Sequence, residues 1–216
     1  MAVKGTTSTH TYRHGSTEVN FFVDDHDVLR VTIDTDRLHI RSVEPSEKDY
    51  NSYGALFGNT AVMEKYATGQ TKTPEEIRIR INDLWVKRWR EKDPYSGLAV
   101  CKNDTDEFVA HVVLGHGDVP GQSELAYLFM KNHWGKGLGS EAVTALVKQY
   151  APATVKEGYT LEGKILETIT ATTRPDNPAS VRILEKVGMH KIGEEVKFGA
   201  LRHHFSINLS EMNLSQ

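Results

Sequence analysis

A single cysteine, Cys101, in 216 residues leaves no partner for an internal disulfide and suits a reducing compartment. No apolar run is long enough to cross a bilayer, and the opening stretch MAVKGTTSTHTYRHGSTEV has no apolar centre of the kind a secretory leader needs. The expectation is therefore a cytoplasmic protein with no membrane partner. Charge of one sign is also scarce in excess: 26 Lys and Arg stand against 29 Asp and Glu, a formal net charge of -3. Such a balance gives no general attraction to nucleic acid, so a polyanionic ligand has to be met by a local arrangement of donors. Repeats and low-complexity tracts are missing. The ten histidines include no i,i+4 helical pair with a nearby carboxylate, and His203 and His204 fall on opposite faces of a strand, so no metal is expected.

What is present is enough for one packed unit. At 38% hydrophobic residues the chain can bury a sizeable core. Residues 1–33 differ from the rest, being polar and rich in Gly, Thr and His before a stretch that alternates like one or two strands. They read as an N-terminal extension, placed either over the sheet or between two copies in a homodimer, ahead of a main domain at 34–216. A strand at 37–43 leads to Pro45, with Ser46 and Asp49 close to a capping box, and a helix that stops at Gly58. Thr73, Pro74 and Glu76 give a full helix start, followed by the apolar stripe Ile77, Ile81, Leu84 and Trp85. The basic residues of that helix, Arg78, Arg80, Lys87, Arg88 and Arg90, read as a solvated face without chemistry. Three strands follow at 95–102, 107–117 and 123–130, as an antiparallel meander. A glycine stretch, a helix at 140–150 and a strand at 164–172 come next. Asn177 then caps a helix whose first residue is Pro178 and whose stop is Gly188, and strands at 190–198 and 200–209 close the chain. The order predicts a mixed α/β (α+β) fold with a mostly antiparallel sheet.

The stretch HWGKGLGSEA, His133 to Ala142, sets glycines at alternate positions just before a helix. Between a strand and a helix N-terminus, such a backbone offers several N–H groups with little side chain in the way, plus the positive end of the helix dipole. A phosphate or diphosphate is the natural guest. A Walker A loop does not fit, because Lys136 precedes Gly137, and the G-x-G-x-G spacing from Gly135 to Gly139 is not that of a dinucleotide fingerprint. A glycine-rich connector packed closely on a neighbour stays open as the structural alternative.

Trp134-x-x-Gly137-x-Gly139, after an alternating strand and before a helix, resembles motif A of the GNAT superfamily of acyl-CoA N-acyltransferases. The segments TDRLHIRSV, SELAYLFMKNHWGKGLGSEAVTAL and RPDNPASVRILEKVGM, in that order, resemble the branch that holds the RimJ/RimL-type ribosomal-protein N-terminal acetyltransferases. The resemblance covers roughly residues 35 to 210. It implies a GNAT fold whose sheet is splayed around acyl-CoA and flanked by helices, with acetyl-CoA as co-substrate. Pantetheine would pair with Leu128, Phe129 and Met130, and the diphosphate would lie on Trp134, Gly135, Lys136, Gly137, Leu138, Gly139 and Ser140. Asn177 would reach the pantetheine, with Ser180 leaving room for it. A backbone N–H near Phe129 or Met130 would meet the oxyanion.

Glu124 is the candidate for taking the amine proton. Many relatives carry a tyrosine where this chain has Leu184, so the thiolate's proton donor is open, and Ser140 matches a serine given that role in the RimJ/RimL-like branch. Glu141 is expected to turn from the ligand toward a structural partner. The acceptor would be an amine, either a protein N-terminal α-amine or a small-molecule amine, entering past segments 58–73 and 190–203. Two other readings stand beside this one: a non-catalytic acyl-CoA-binding or sensing domain, and a nucleotide-binding protein.

Overall fold

A computed structural model describes residues 7–211; the ends of the N-terminal extension and of the main domain, residues 1–6 and 212–216, lie outside the described residues. Four strands open the chain, β1 (Thr7–His14), β2 (Thr17–Val23), β3 (Leu29–Asp34) and β4 (Leu38–Ser42). Helices α1 (Glu47–Phe57), α2 (Thr60–Met63) and α3 (Pro74–Arg80) follow; α3 runs through a π-helical stretch, Ile81–Val86, into α4 (Lys87–Arg90). The meander β5 (Gly97–Lys102), β6 (Phe108–His116) and β7 (Gln122–Phe129) leads to α5 (Leu138–Ala145), a second π-helical stretch (Leu146–Tyr150) and α6 (Ala151–Lys156). A hairpin of β8 (Thr160–Leu161) and β9 (Lys164–Ile165) precedes β10 (Thr168–Thr173), α7 (Pro178–Lys186), β11 (His190–Lys197) and β12 (Ala200–Asn208).

Ten strands form one sheet in the order β1-β2-β3-β4-β5-β6-β7-β10-β12-β11. Every neighbouring pair is antiparallel except β7 and β10. Residue patterning explains the layers. In β3 and β4 Leu29, Val31, Ile33, Leu38 and Ile40 are buried and their alternate neighbours are not. In β5, Leu98, Ala99, Val100 and Cys101 are all buried, and because successive side chains point to opposite faces, the sheet is covered on both sides there.

The helix starts are as the sequence predicts. Ser46 accepts from Asp49 N–H, Thr73 and Glu76 close a reciprocal capping box, and Asn177 accepts from Ser180 N–H. Asp49 also has a second task. Its buried carboxylate takes Arg41 Nη1 at 2.9 Å and Nη2 at 2.5 Å, together with Glu44 N–H at 2.8 Å. Three boundaries differ from expectation. The strand expected to start at 164 starts at Thr168, because Glu162 and Gly163 both take positive φ and fold 160–165 into a separate hairpin. The helix expected at 140–150 begins at Leu138 and continues to Lys156, with Pro152 tolerated in the first turn of the resumed α-helix. The N-terminal region holds three strands, since the polar β1 pairs along the outer edge of β2. Phe21 of β2 stacks on Tyr150 at 5.8 Å between ring centroids and is part of the common core.

Candidate active site

Strands β7 and β10 pair over three positions only, Gln122 with Thr168, Ser123 with Ile169 and Glu124 with Thr170. Past Glu124 they part: β7 continues to Phe129 bonded to β6 alone, and β10 continues to Thr173 bonded to β12 alone. The opened edge of β7 can be read by alternation. Met130 gives its N–H to Val109 O at 2.9 Å, so Met130 and Leu128 turn their amides toward β6. Ser123 O accepts from Thr170 Oγ1 and Phe129 O accepts from Trp134 Nε1, so the amides of Leu125, Tyr127 and Phe129 face the opening. This corrects the expected pairing of a ligand with Leu128 and Met130 by one residue of register, and leaves Phe129 as the N–H donor at the strand end.

The chain then enters the glycine loop. Gly135 and Gly137 sit at φ +73 and +78, where a side chain would strain the backbone, and a Cβ at Gly135 would project into open space. Gly137 starts α5 without a side-chain cap. The first helical bond from this turn is Glu141 N–H to Gly137 O. Among the described residues, the amides from Gly135 to Ser140 find no acceptor in the protein. Gly139 has a different reason to be glycine: a Cβ there would stand 3.0 Å from Ile183 Cδ1, where α5 packs on α7. Trp134 is about half exposed and spends its own N–H on Lys131 O, so it props the loop through its indole rather than adding an amide to the cradle.

The loop is braced from behind. Glu141 accepts from Thr35 Oγ1 at 2.6 Å and Arg37 N–H at 2.9 Å, and pairs with the Arg37 guanidinium at 2.5 Å. Arg37 in turn donates to Lys136 O at 3.0 Å. As expected, Glu141 turns to a structural partner; the consequence is that Lys136 and Gly137 are held with their N–H groups free.

A cavity of 380 Å³ opens where the strands part. Glu124, Leu128, Asn177, Ser180 and Leu184 all line it. Glu124 is half-buried at the apex, with Lys197 Nζ 3.2 Å away. Ser140 is not brought to this cavity. It is the third residue of α5 and borders a separate groove with Thr35, Arg37 and Glu141, so its side chain lies apart from Glu124 while its N–H stays in the loop's set. Segments 58–73 and 190–203 do contribute walls, through Met63, Tyr66, Phe198 and Arg202 among others.

Several lining groups were missed by sequence reasoning. Tyr127 places its hydroxyl 2.8 Å from Ser180 Oγ, and burial pushes that phenol up to about 12 although the serine bond pulls it down. An alternating strand gave no sign of which face would meet a ligand. His111, fully buried, is pushed down to about 3 by burial and by the charge of Arg80, so it is neutral; Tyr53 Oη lies 3.1 Å from its Nδ1, and its ring sits 4.4 Å from that of Trp85. Arg80 and Arg88, read as solvated, line the cavity, because the helical segment from α3 to α4 packs with Leu84 and Trp85 against the same opening. Among the described residues no group of three or more His, Cys, Asp and Glu side chains is placed to hold a metal.

Comparison with known proteins follows the same outline. The family model described as Acetyltransferase (GNAT) domain matches residues 37–190. YnaD of Bacillus subtilis strain 168, an uncharacterized N-acetyltransferase, is 27% identical over 161 residues, covering 74% of this chain and 84% of its own. A GNAT-family acetyltransferase structure from Bacillus anthracis superposes with a TM-score of 0.66 at 24% identity, over 83% of this chain and 99% of that one. The ribosomal-protein-S5-alanine acetyltransferase of Vibrio fischeri gives 0.66 at 16% identity, over 83% and 97%. The family match runs from Arg37, which braces the glycine loop, past the parted strands and Asn177 to His190, and so takes in the whole cradle: this chain belongs to the GNAT family of acetyltransferases and is an N-acetyltransferase.

Proposed function

We propose that the chain moves an acetyl group from acetyl-CoA to a primary amine within the cavity between β7 and β10, by direct attack with both substrates bound. The observation that carries this reading is the run of unpartnered amides from Gly135 to Ser140, which opens from the end of the same strand whose free edge lines the gap. These residues fit the co-substrate. A helix N-terminus with free N–H groups suits a diphosphate, and the outward amides of Leu125, Tyr127 and Phe129 suit the amides of an extended pantetheine arm. Asn177 and Ser180, on the cavity wall, would border that arm. Acetyl-CoA, when bound, supplies a thioester whose carbonyl carbon is open to an amine.

The chain's own groups then have separate tasks. Holding the two reactants in contact contributes up to about 7–11 kcal/mol. Phe129 N–H faces the opening and is the donor for the charge that develops on the carbonyl oxygen. Glu124 takes the amine proton, directly or through water. Tyr127 holds the proton needed by the departing sulfur, since Leu184 carries no hydroxyl and Ser140 faces another groove. An α-amine, with a pKa near 8, is about 10% neutral at pH 7, whereas a lysine amine near 10.4 is less than about 0.1% neutral, so an α-amine needs the weaker base. Thiol release from acetyl-CoA with a panel of amines tests the reading. Glu124→Gln is expected to slow turnover by about 10²–10⁴ while acetyl-CoA still raises the melting temperature. A mutant that turns over as the wild type does would remove Glu124 from the chemistry, and ATP or NAD stabilising the fold better than acetyl-CoA would overturn the proposal.

A further inference from the structure

Charge is unevenly spread over the wall of the 380 Å³ cavity: Lys65, Lys72, Arg80, Arg88 and Arg202 line it, against Glu124 alone among carboxylates. Much of the positive charge is already matched from outside. Lys65 lies 3.6 Å from Asp176, Lys72 3.0 Å from Glu76 and Arg88 3.9 Å from Asp93. Glu124 is itself matched, by Lys197 at 3.2 Å. Arg80 and Arg202 differ from these. Among the described residues, neither has a carboxylate within 4.0 Å.

Arg202 is the more telling of the two. It is 5% exposed, donates from Nε to Thr172 Oγ1 at 2.9 Å and from Nη2 to Thr172 O at 3.2 Å, and leaves its Nη1 buried without any hydrogen-bond partner. Glu124 and Glu195 act on this guanidinium only from beyond salt-bridge distance, and a buried guanidinium with an idle donor and no contacting carboxylate is costly to a fold. A ligand that brings the counter-charge removes that cost. Tyr66, a half-buried residue on the same wall, feels all three charges: burial raises its phenol, Arg80 and Arg202 act to lower it and Glu124 to raise it. Phe57, Met63, Trp85 and Phe198 supply apolar wall around them.

Resting on the acetyl-transfer reading above, we propose that the acceptor is a small primary amine bearing an oxyanion, with Arg202 and Arg80 pairing that anion while the amine turns toward Glu124. The planar guanidinium fork matches the two oxygens of a carboxylate and also the oxygens of a phosphate. The same pair of cations works against a polyamine, which would meet like charge at the position where its second amine must sit. The same 380 Å³ has also to take the end of the pantetheine arm, which leaves room for a compact acceptor only.

The test uses the full chain and matched amines: phenylalanine against phenylalaninamide, O-phosphoethanolamine against ethanolamine, and spermidine. The amide's amine is the less basic of the first pair, so intrinsic reactivity favours the uncharged member, and selection by the site has to act against it. The anionic member of at least one pair is expected to win by about tenfold or more in kcat/KM, the two pairs telling carboxylate from phosphate. Arg80→Gln, at an exposed position free to fold, is expected to raise KM for the anionic amine with kcat little changed. Arg202→Gln is expected to abolish the preference. Melting shifts with the same amines and their N-acetylated forms, with and without CoA, give a second readout that needs no turnover. Equal use of charged and uncharged members, preference for spermidine, or melting shifts blind to the anion would overturn the proposal. Failure of acetyl-CoA itself to stabilise the chain would instead strike the acetyl-transfer reading.

Discussion

The Tyr127 hydroxyl, 2.8 Å from Ser180 Oγ, keeps its proton up to about 12, so it enters any reaction cycle near neutrality as a donor. Replacing it with phenylalanine removes one oxygen and leaves the ring's packing. Tyr127→Phe is expected to lower kcat by about tenfold or more with the CoA-induced melting shift intact; an unchanged kcat would assign the leaving sulfur's proton to water. His111 supports a prediction about stability. Its folded value is about 3 and its ordinary value 6.5, so between these limits the unfolded chain holds a proton that the folded chain lacks. Stability from this group is complete above about pH 6.5 and is lost as the pH falls toward 3, with a slope approaching 1.4 kcal/mol per pH unit. Urea unfolding of wild type and His111→Gln between pH 7 and pH 4 checks this: the variant's acid slope is expected to be shallower, and an equal slope would place the acid sensitivity elsewhere. Neither residue stood out in the sequence. Tyr127 lies in an alternating strand whose register toward the opening is set only by the pairing of β6 and β7, and a lone histidine in such a strand looks like any core residue.

Elements carry the site's shape. The glycine loop was legible because its signal is local: spacing, a preceding strand and a following helix. Even there, the structure divides the labour. Gly135 keeps open space beside free amides, Gly139 allows α5 to approach α7, and Trp134 braces the strand end by bonding Phe129 O. Gly135→Val therefore distinguishes cradle from connector. With φ +73 and no neighbour within 4 Å, its cost to folding is backbone strain alone, about 1–2 kcal/mol. The added side chain occupies the space above the amides, so CoA affinity is expected to fall by far more than stability does, as calorimetric titration beside a urea melt would show. Equal losses would mean the loop is only a connector. The helix caps at Ser46, Thr73 and Asn177 were legible for the same local reason. The π-helical stretches were not, because hydrophobic periodicity does not register one extra residue in a turn. Arg80 and Arg88 looked solvated because helical periodicity shows which residues share a face and not whether that face meets water or a cavity.

At the scale of the molecule, the proposed function depends on one interruption in an otherwise continuous sheet. Ten strands hold together over an unbroken hydrophobic core, and β1 to β3 extend that sheet, with Val19, Phe21, Leu29, Val31 and Ile33 inside the core. The order of elements was legible from hydrophobic periodicity. The parting of β7 and β10 came only through the family resemblance, since the two strands are far apart in sequence and nothing local marks where their pairing ends. The near-neutral overall charge likewise concealed Arg202, a cation buried in the cavity wall with an idle donor. The most direct measurement is a ¹H–¹⁵N spectrum of the full chain titrated with CoA and, separately, with pantetheine, which lacks the diphosphate. The account predicts that CoA moves the amides from Gly135 to Ser140 most, while pantetheine moves Leu125, Tyr127 and Phe129 and leaves the loop nearly still. Loop amides that respond to neither ligand, or equally to both, would contradict it.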